Sequence, residues 1–414
     1  MAIIKPFKAY RPQENLAKRI ASYPYDVVNS KEAAELAAYN SLSFLHVVKP
    51  EIDVPEGTDP YSEEVYQKGK ENMKAFIEKD VFFLDEVASY YVYQLEMNGH
   101  VQTGLVGAAS IQEYFDGKIK IHELTRPVKE KDRIDHIKTS GILAEPVFFA
   151  YRGVPELNAI IQAVIQSDPV YDFKADDGIY HRIWKIQNQN ALEEIELLFA
   201  HKVPATYVAD GHHRTAAAAL VGKGLIEAGN TSAAVPYFMA VHFPAEELQI
   251  LDYNRVVTDL GSTSSGAFIE KLKEHFQVIK STEAVKPQEA YTFGLYMENN
   301  WYKLSLKEEF IPKEDVISKL DVSVLDRYVI NPVLGITDIR RDKRIDFVGG
   351  IRGLQELERR VDAGEMKLAF SIPPVKMDQL LDIADSKEIM PPKSTWFEPK
   401  LRSGLLVYSL SESL

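Results

Sequence analysis

The chain has no cysteine. That absence alone excludes disulfides, thiolate catalysis, Cys-ligated zinc and iron–sulfur clusters. No apolar run is long enough to span a bilayer. The opening MAIIKPFKAYRP lacks the uninterrupted apolar core of a signal peptide. The expected setting is therefore cytoplasmic, with no membrane partner. There is no basic block either: 61 acidic against 48 basic side chains give a formal net charge of -13, which offers the backbone of a nucleic acid little to hold. No internal repeat, low-complexity segment or Gly-x-Ser-x-Gly elbow occurs, so neither a repeat architecture nor a serine hydrolase is suggested. His212 and His213 are adjacent and not four apart, so paired-histidine zinc binding on a helix is unsupported as well.

What remains is an ordinary globular composition, 45% hydrophobic and 26% charged, on 414 residues. That length suggests two or three domains with ample core. Alternating and helical patterns intermix along the whole chain, which predicts a mixed α/β (α+β) fold. The expected organisation is N-terminal α+β elements over residues 1–100, a core domain over 101–245 and a C-terminal α+β domain over 246–414. Near the N-terminus, Ser30 is a plausible cap for the helix in SKEAAELAAYN. SFLHVVKPEID reads as a strand ended by Pro50, with His46 a structural residue inside it. SYYVYQLEM and VQTGLVGAASI read as two strands joined by the tight-turn pair Asn98-Gly99.

The stretch around which the chain is organised is ATYVADGHHRTAAAAL, residues 205–220. It predicts a short strand, a turn at Asp210-Gly211 and an Ala-rich helix opening near His212. The first N–H groups of a helix have no partner within it, and they carry the positive end of the dipole. A phosphate suits such a place. His212, His213 and Arg214 would ordinarily oppose that dipole, and an anion removes the conflict. The plain alternative is that Asp210 merely caps a core helix.

A second candidate lies upstream in KIKIHELTRP. The alternation from Lys118 to Ile121 predicts a strand, and Pro127 fits the first turn of a helix that begins near Arg126. His122, Glu123 and Arg126 thus sit where a strand gives way to a helix, a common place for site residues. A solvated carboxylate at a helix start is the plain reading of Glu123. Two weaker motifs complete the set. Gly349-Gly350-Ile351-Arg352-Gly353 would suit a second anion but lacks a dinucleotide fingerprint and a P-loop lysine, and a structural turn also explains it. Lys393-Ser394-Thr395 follows Met390-Pro391-Pro392, where a phosphate loop needs glycines, so a Walker motif is rejected. The basic, polar run from Lys393 to Arg402 would still suit a pocket wall.

DGHHR between a strand and an Ala-rich helix resembles the phosphate-binding box of the ParB/sulfiredoxin-like fold, and most closely that of the free serine kinases. The resemblance implies that Asp210, Gly211, His212, His213 and Arg214 cradle nucleotide phosphates and that Glu123 in HELTR acts as general base. Sulfiredoxin chemistry is ruled out by the missing cysteine, and neither the basic clamp nor the helix-turn-helix of ParB is present. From FKAYRP through HELTR, DGHHRTAAA and DYNRVV to DFVGGIRG and IMPPKSTWFEPK, the chain is also similar to a bacterial family known as domain of unknown function 1015.

The function expected from residues and resemblance together is a nucleotide-dependent kinase for a small hydroxylated metabolite, with free serine as the named candidate. ATP or ADP would be the donor. Glu123, Asp210, His212 and His213 are the expected catalytic set, Asp210 a ligand for Mg²⁺, and His122, Arg126 and Lys393 the substrate contacts. The expected partners are a nucleotide and a small-molecule substrate, with nucleic acid disfavoured and a homodimer as a candidate assembly. Two other readings stay open: a nucleotide- or phosphometabolite-binding regulator without turnover, and a ParB-like nucleic-acid protein.

Overall fold

The computed structural model describes residues 1–411 as a mixed α/β protein of two compact units. Of the described residues, the first comprises 1–248 and 399–411, and the second 249–398. Among the described residues no helix is long and apolar enough to cross a membrane.

The first unit is built on one nine-stranded sheet. Its strands are β1 (Ile4–Lys5), β2 (Tyr90–Met97), β3 (His100–Ser110), β4 (Ile119–Lys120), β5 (Val147–Tyr151), β6 (Tyr171–Lys174), β7 (Tyr180–Ile186), β8 (Thr206–Asp210) and β9 (Tyr237–Pro244). They lie in the order β4-β8-β5-β9-β3-β2-β7-β6, with β1 paired to β3 outside that path. β2 and β3 form the expected hairpin, and Asn98 and Gly99 both take positive φ (52° and 80°), as a primed turn demands. Most pairs are antiparallel, but β4 runs parallel to β8 and β5 parallel to β9.

The helices that matter for the site are α1 (Glu63–Glu78), α2 (Pro127–Ser140), α3 (Pro155–Val164), α4 (Gln189–Lys202) and α5 (His212–Glu227). Proline opens α2, and Gly141 closes it in the left-handed region, the ordinary asymmetry of helix ends. α3 and α4 cover the sheet through Leu157, Ile161, Ile195 and Phe199, which pack with Tyr90, Tyr151 and Trp184. α5 packs on α2 and on β5, β8 and β9. It does so through small residues: Ala216 to Ala219 are all buried. A Cβ on Gly222 would come within 2.8 Å of the Val235 carbonyl.

Two local expectations are corrected. Residues 45–48 form a helical turn and not a strand. The run LHVV does not alternate; it is apolar almost throughout and buries Leu45, Val47 and Val48 together as one turn, followed by a 3-10 turn that starts at Pro50. His46 is thus helical, with Nδ1 2.9 Å from Asp53 and Nε2 3.2 Å from the Asn40 carbonyl. The cap of the first long helix is Asn29 and not Ser30: Asn29 and Glu32 exchange side-chain to backbone hydrogen bonds of 2.9 Å in a capping box.

The second unit holds a six-stranded antiparallel sheet, in which the strand Tyr253–Val257 pairs with Ile345–Gly349 and Leu368–Ser371. The chain enters and leaves this unit through a two-stranded antiparallel ribbon, β10 (Gln249–Leu251) against β11 (Trp396–Glu398), with Gln249 opposite Glu398 and Leu251 opposite Trp396.

Candidate functional site

β8 ends in a bulge. Val208 stands opposite Phe149 and Asp210 opposite Phe148, so Ala209 is the extra residue. Bulges re-aim the side chains around them. Gly211 follows with φ 92° and ψ 35°, a left-handed conformation that costs a residue with a side chain about 1–2 kcal/mol. α5 starts at His212 with no side-chain cap. Asp210 does not cap the helix, as the plain reading would have it. Its Oδ1 accepts from the adjacent Gly211 N–H at 2.9 Å, which leaves the first turn of a sixteen-residue helix without a side-chain cap among the described residues.

The other oxygen of Asp210 is engaged too. Lys400 Nζ donates to Oδ2 at 3.0 Å, and an Arg214 nitrogen lies 3.9 Å away. Burial would raise the Asp210 pKa, but Lys400 and Arg214 outweigh it and hold the carboxyl well below its usual range. Asp210, expected as a metal ligand, is therefore already committed to a protein cation. Among the described residues no group of three or more His, Asp or Glu side chains gathers to hold a metal.

Arg214 turns inward. It is 7% exposed, Nη1 donates to the Pro146 carbonyl at 2.6 Å, and a Cβ on Gly211 would lie 3.1 Å from its guanidinium. Burial works against its charge, but Asp26, Glu145 and Asp210 more than offset that and keep it protonated. Behind it, Glu145 is buried, and its Oε1 accepts from the Tyr25 N–H at 2.8 Å and from Ser403 Oγ at 3.0 Å. Arg133 lies 3.9 Å from Glu145 Oε2 and stacks on the Tyr25 ring at 3.8 Å. A cavity of about 30 Å³, room for a water, is lined in part by Arg133, Glu145 and Arg214. Arg214 thus braces the turn from below.

The upstream motif arrives at the same place by topology. β4 and β8 are parallel, with Thr206 opposite Ile119 and Tyr207 opposite Lys120. Being parallel, both strands leave the sheet at the same end, which carries the segment after Lys120 toward the turn after β8. Two contacts mark the meeting. The His122 and His212 rings lie 4.5 Å apart, edge to face. The Arg126 backbone N–H donates to His213 Nε2 at 2.9 Å. His122 is buried, which drives its pKa down to about 4 despite Asp210 nearby. Burial, then the neighbouring His122, His213 and Arg214, hold His212 well below its usual value. Burial and Arg126 lower His213 as well. All three rings are neutral at pH 7, and His212 Nε2 is buried without a hydrogen-bond partner among the described residues.

Lys393 falls in the second unit. Its carbonyl accepts from Arg255 Nη1 at 2.9 Å, and its ammonium lies 5.6 Å from the centre of the Tyr253 ring. The glycine pair there is a tight structural turn: a Cβ on Gly350 would come 2.4 Å from the Asp252 carboxylate, and one on Gly349 would strike the Trp396 ring. Sequence reasoning singled out neither Lys400 nor Glu145. Lys400 lies 190 residues from Asp210, and its only signal was membership of the basic run Lys393 to Arg402.

A family model described as "Protein of unknown function (DUF1015)" matches residues 4–323. No curated protein matches the chain. Among solved structures, a free serine kinase in complex with AMP is similar at 14% identity and a TM-score of 0.34, covering 72% of this chain and 91% of that one. SbnI with a C-terminal truncation from Staphylococcus aureus is similar at 10% identity and a TM-score of 0.39, covering 75% and 90%. A conserved hypothetical protein from Pyrococcus furiosus is similar at 15% identity and a TM-score of 0.34, covering 74% and 95%. Likeness at this level assigns this chain neither a ligand nor a reaction.

Proposed function

The chain belongs to the family described as "Protein of unknown function (DUF1015)"; since that membership assigns no reaction, the chemistry has to come from the site, and we propose that the protein is a nucleotide-dependent phosphotransferase acting on a small hydroxylated metabolite. The supporting observation is the junction of two distant segments at the uncapped N-terminus of α5. His122 rests on His212 and Arg126 bonds to His213, so Glu123 is carried between two residues that both touch the DGHHR turn.

In this reading the first-turn N–H groups of α5 hold phosphate oxygens. The hydroxyl oxygen of the substrate attacks the terminal phosphorus of the donor nucleotide, and the bond from that phosphorus to the bridging oxygen breaks. The electron pair leaves with the nucleotide. Glu123 takes the hydroxyl proton as general base. His122 and His212, being neutral, hydrogen-bond without adding charge. The exposed Arg126 side chain would take a substrate carboxylate in a two-pronged contact. A hydroxy amino acid carries both groups, and free serine is the first substrate to test. Mg²⁺, when present, neutralises charge on the phosphates.

Glu123→Gln tests the reading. Calorimetry should show ADP and ATP binding retained, while phosphorus NMR should show phosphomonoester formation down by about 10²–10⁴-fold. Turnover by the variant at the wild-type rate removes Glu123 as the base. Wild-type binding with no product from any hydroxy acid makes the protein a binding regulator and not a kinase.

A further inference from the structure

Among the described residues, Arg214 and Lys400 lie within ion-pair distance of Asp210, and they are held differently. Arg214 is folded beneath Gly211 and spends a donor on the Pro146 carbonyl. Lys400 comes from a different part of the chain, the segment that returns to the first unit after residues 249–398. Its side chain is 12% exposed, so the ammonium is not in bulk water, where lysine usually ends. Its position is fixed a few residues on. Arg402 pairs with Asp177 and lies over the Tyr23 ring at 3.9 Å. Ser403 exchanges backbone hydrogen bonds with Ser22 and donates its hydroxyl to Glu145. Four contacts made by these two residues hold the backbone next to Lys400, whose ammonium reaches Asp210 just before α5.

We propose that Lys400 is the phosphate-anchoring cation of this site: its ammonium, held by Asp210 at the N-terminus of α5, contacts the terminal phosphate of a bound nucleotide, and Asp210 is the holder of that lysine and not a metal ligand. The inference rests on the phosphotransferase reading for its ligand and goes beyond it in assigning the residue. The chemistry favours it. A lysine ammonium is a compact charge with three donors, suited to phosphate oxygens. Holding it on a carboxylate fixes it before the ligand arrives, so less freedom is lost on binding. The unpartnered Nε2 of His212, on a side chain more than nine-tenths buried, is a second polar group at the same helix end with no bond of its own.

The test is calorimetry on the full chain with inorganic pyrophosphate, ADP and adenosine, for wild type, Lys400→Ala and the double variant Asp210→Asn/Lys400→Met. The double variant removes both charges together, so the fold is not left with an unpaired carboxylate. Thermal melting establishes that each protein is folded. The expected result is a rise in Kd of at least tenfold for ADP and pyrophosphate in both variants, with adenosine binding unchanged and a shallower salt dependence. ADP binding equal in wild type and both variants overturns the assignment of Lys400 while leaving the phosphotransferase reading intact. Pyrophosphate binding that depends on Lys400, with no nucleotide binding, does the reverse. Absence of any binding by the wild type sinks both.

Discussion

At the scale of single residues, the protein keeps several histidines neutral by burying them. His122, His136 and His242 are pushed down to about 4 and His181 to about 3, in each case first by burial. A base whose pKa is depressed by folding stabilises the fold above its unfolded pKa of 6.5 and loses that contribution as pH falls toward its folded value. Between those values the unfolded chain binds more protons, at about 1.4 kcal/mol per pH unit for each group. His46 works the other way. The hydrogen bond to Asp53 raises its pKa, so its contribution is present at low pH and fades as pH rises through the raised value. With His212 and His213 also lowered, six groups against one set the expected sign: stability in urea should fall between about pH 6.5 and about pH 5, before most carboxylates titrate. A flat profile over that interval would show that these rings take up protons without unfolding. None of this was legible in the sequence, because a histidine in a string of letters carries no depth. Asp210 shows the same limit. The sequence marked it as a helix cap or a metal ligand, and its partner is a lysine 190 residues away.

At the scale of elements, local pattern was a good guide wherever a period was long enough to read. The hairpin at Asn98-Gly99, the proline start of α2 and the opening of α5 at His212 all follow from short-range chemistry. The helical turn at residues 45–48 was misread because four residues cannot show a period. The run Ala216 to Ala219 was legible as helix and illegible in purpose. Its propensity is high, yet the small side chains matter more for letting α5 lie close to α2 and to β5, β8 and β9, and Ala217 and Ala219 have no exposed surface at all. Ala217→Leu adds three carbons where there is no room. It should destabilise the protein by about 1–3 kcal/mol in denaturant unfolding, although leucine is itself a good helix former. A neutral or stabilising outcome would mean that the packing beneath α5 is loose. The junction of HELTR with DGHHR was proposed from motif alone; the parallel pairing of β4 with β8 supplies a physical reason for it.

At the scale of the whole molecule, composition bounded the class and local pattern supplied most elements, but neither indicated that the last described residues belong with the first unit. That return is tertiary, held by Arg402 on Asp177, by Ser403 on Ser22 and by the strand Val407–Ser409 pairing with Ala9–Pro12. The ribbon of β10 and β11 gives the return a further meaning. Directly opposed residues of an antiparallel pair have Cα atoms about 4.5–5.5 Å apart, so Leu251 and Trp396 stand as close as the two ends of a tight hairpin. The two ends of the second unit are therefore adjacent, and in sequence the unit is a cassette inserted between residues 248 and 399 of the first. Replacing residues 252–395 by Asn-Gly should leave a shortened chain that folds cooperatively in denaturant and binds pyrophosphate with the Lys400 dependence of the parent. Failure to fold would mean that the cassette is part of the first unit's stability. Success would mean that the cassette can be exchanged for another without disturbing the anion site, because a pair of neighbouring chain ends is all that a replacement has to supply.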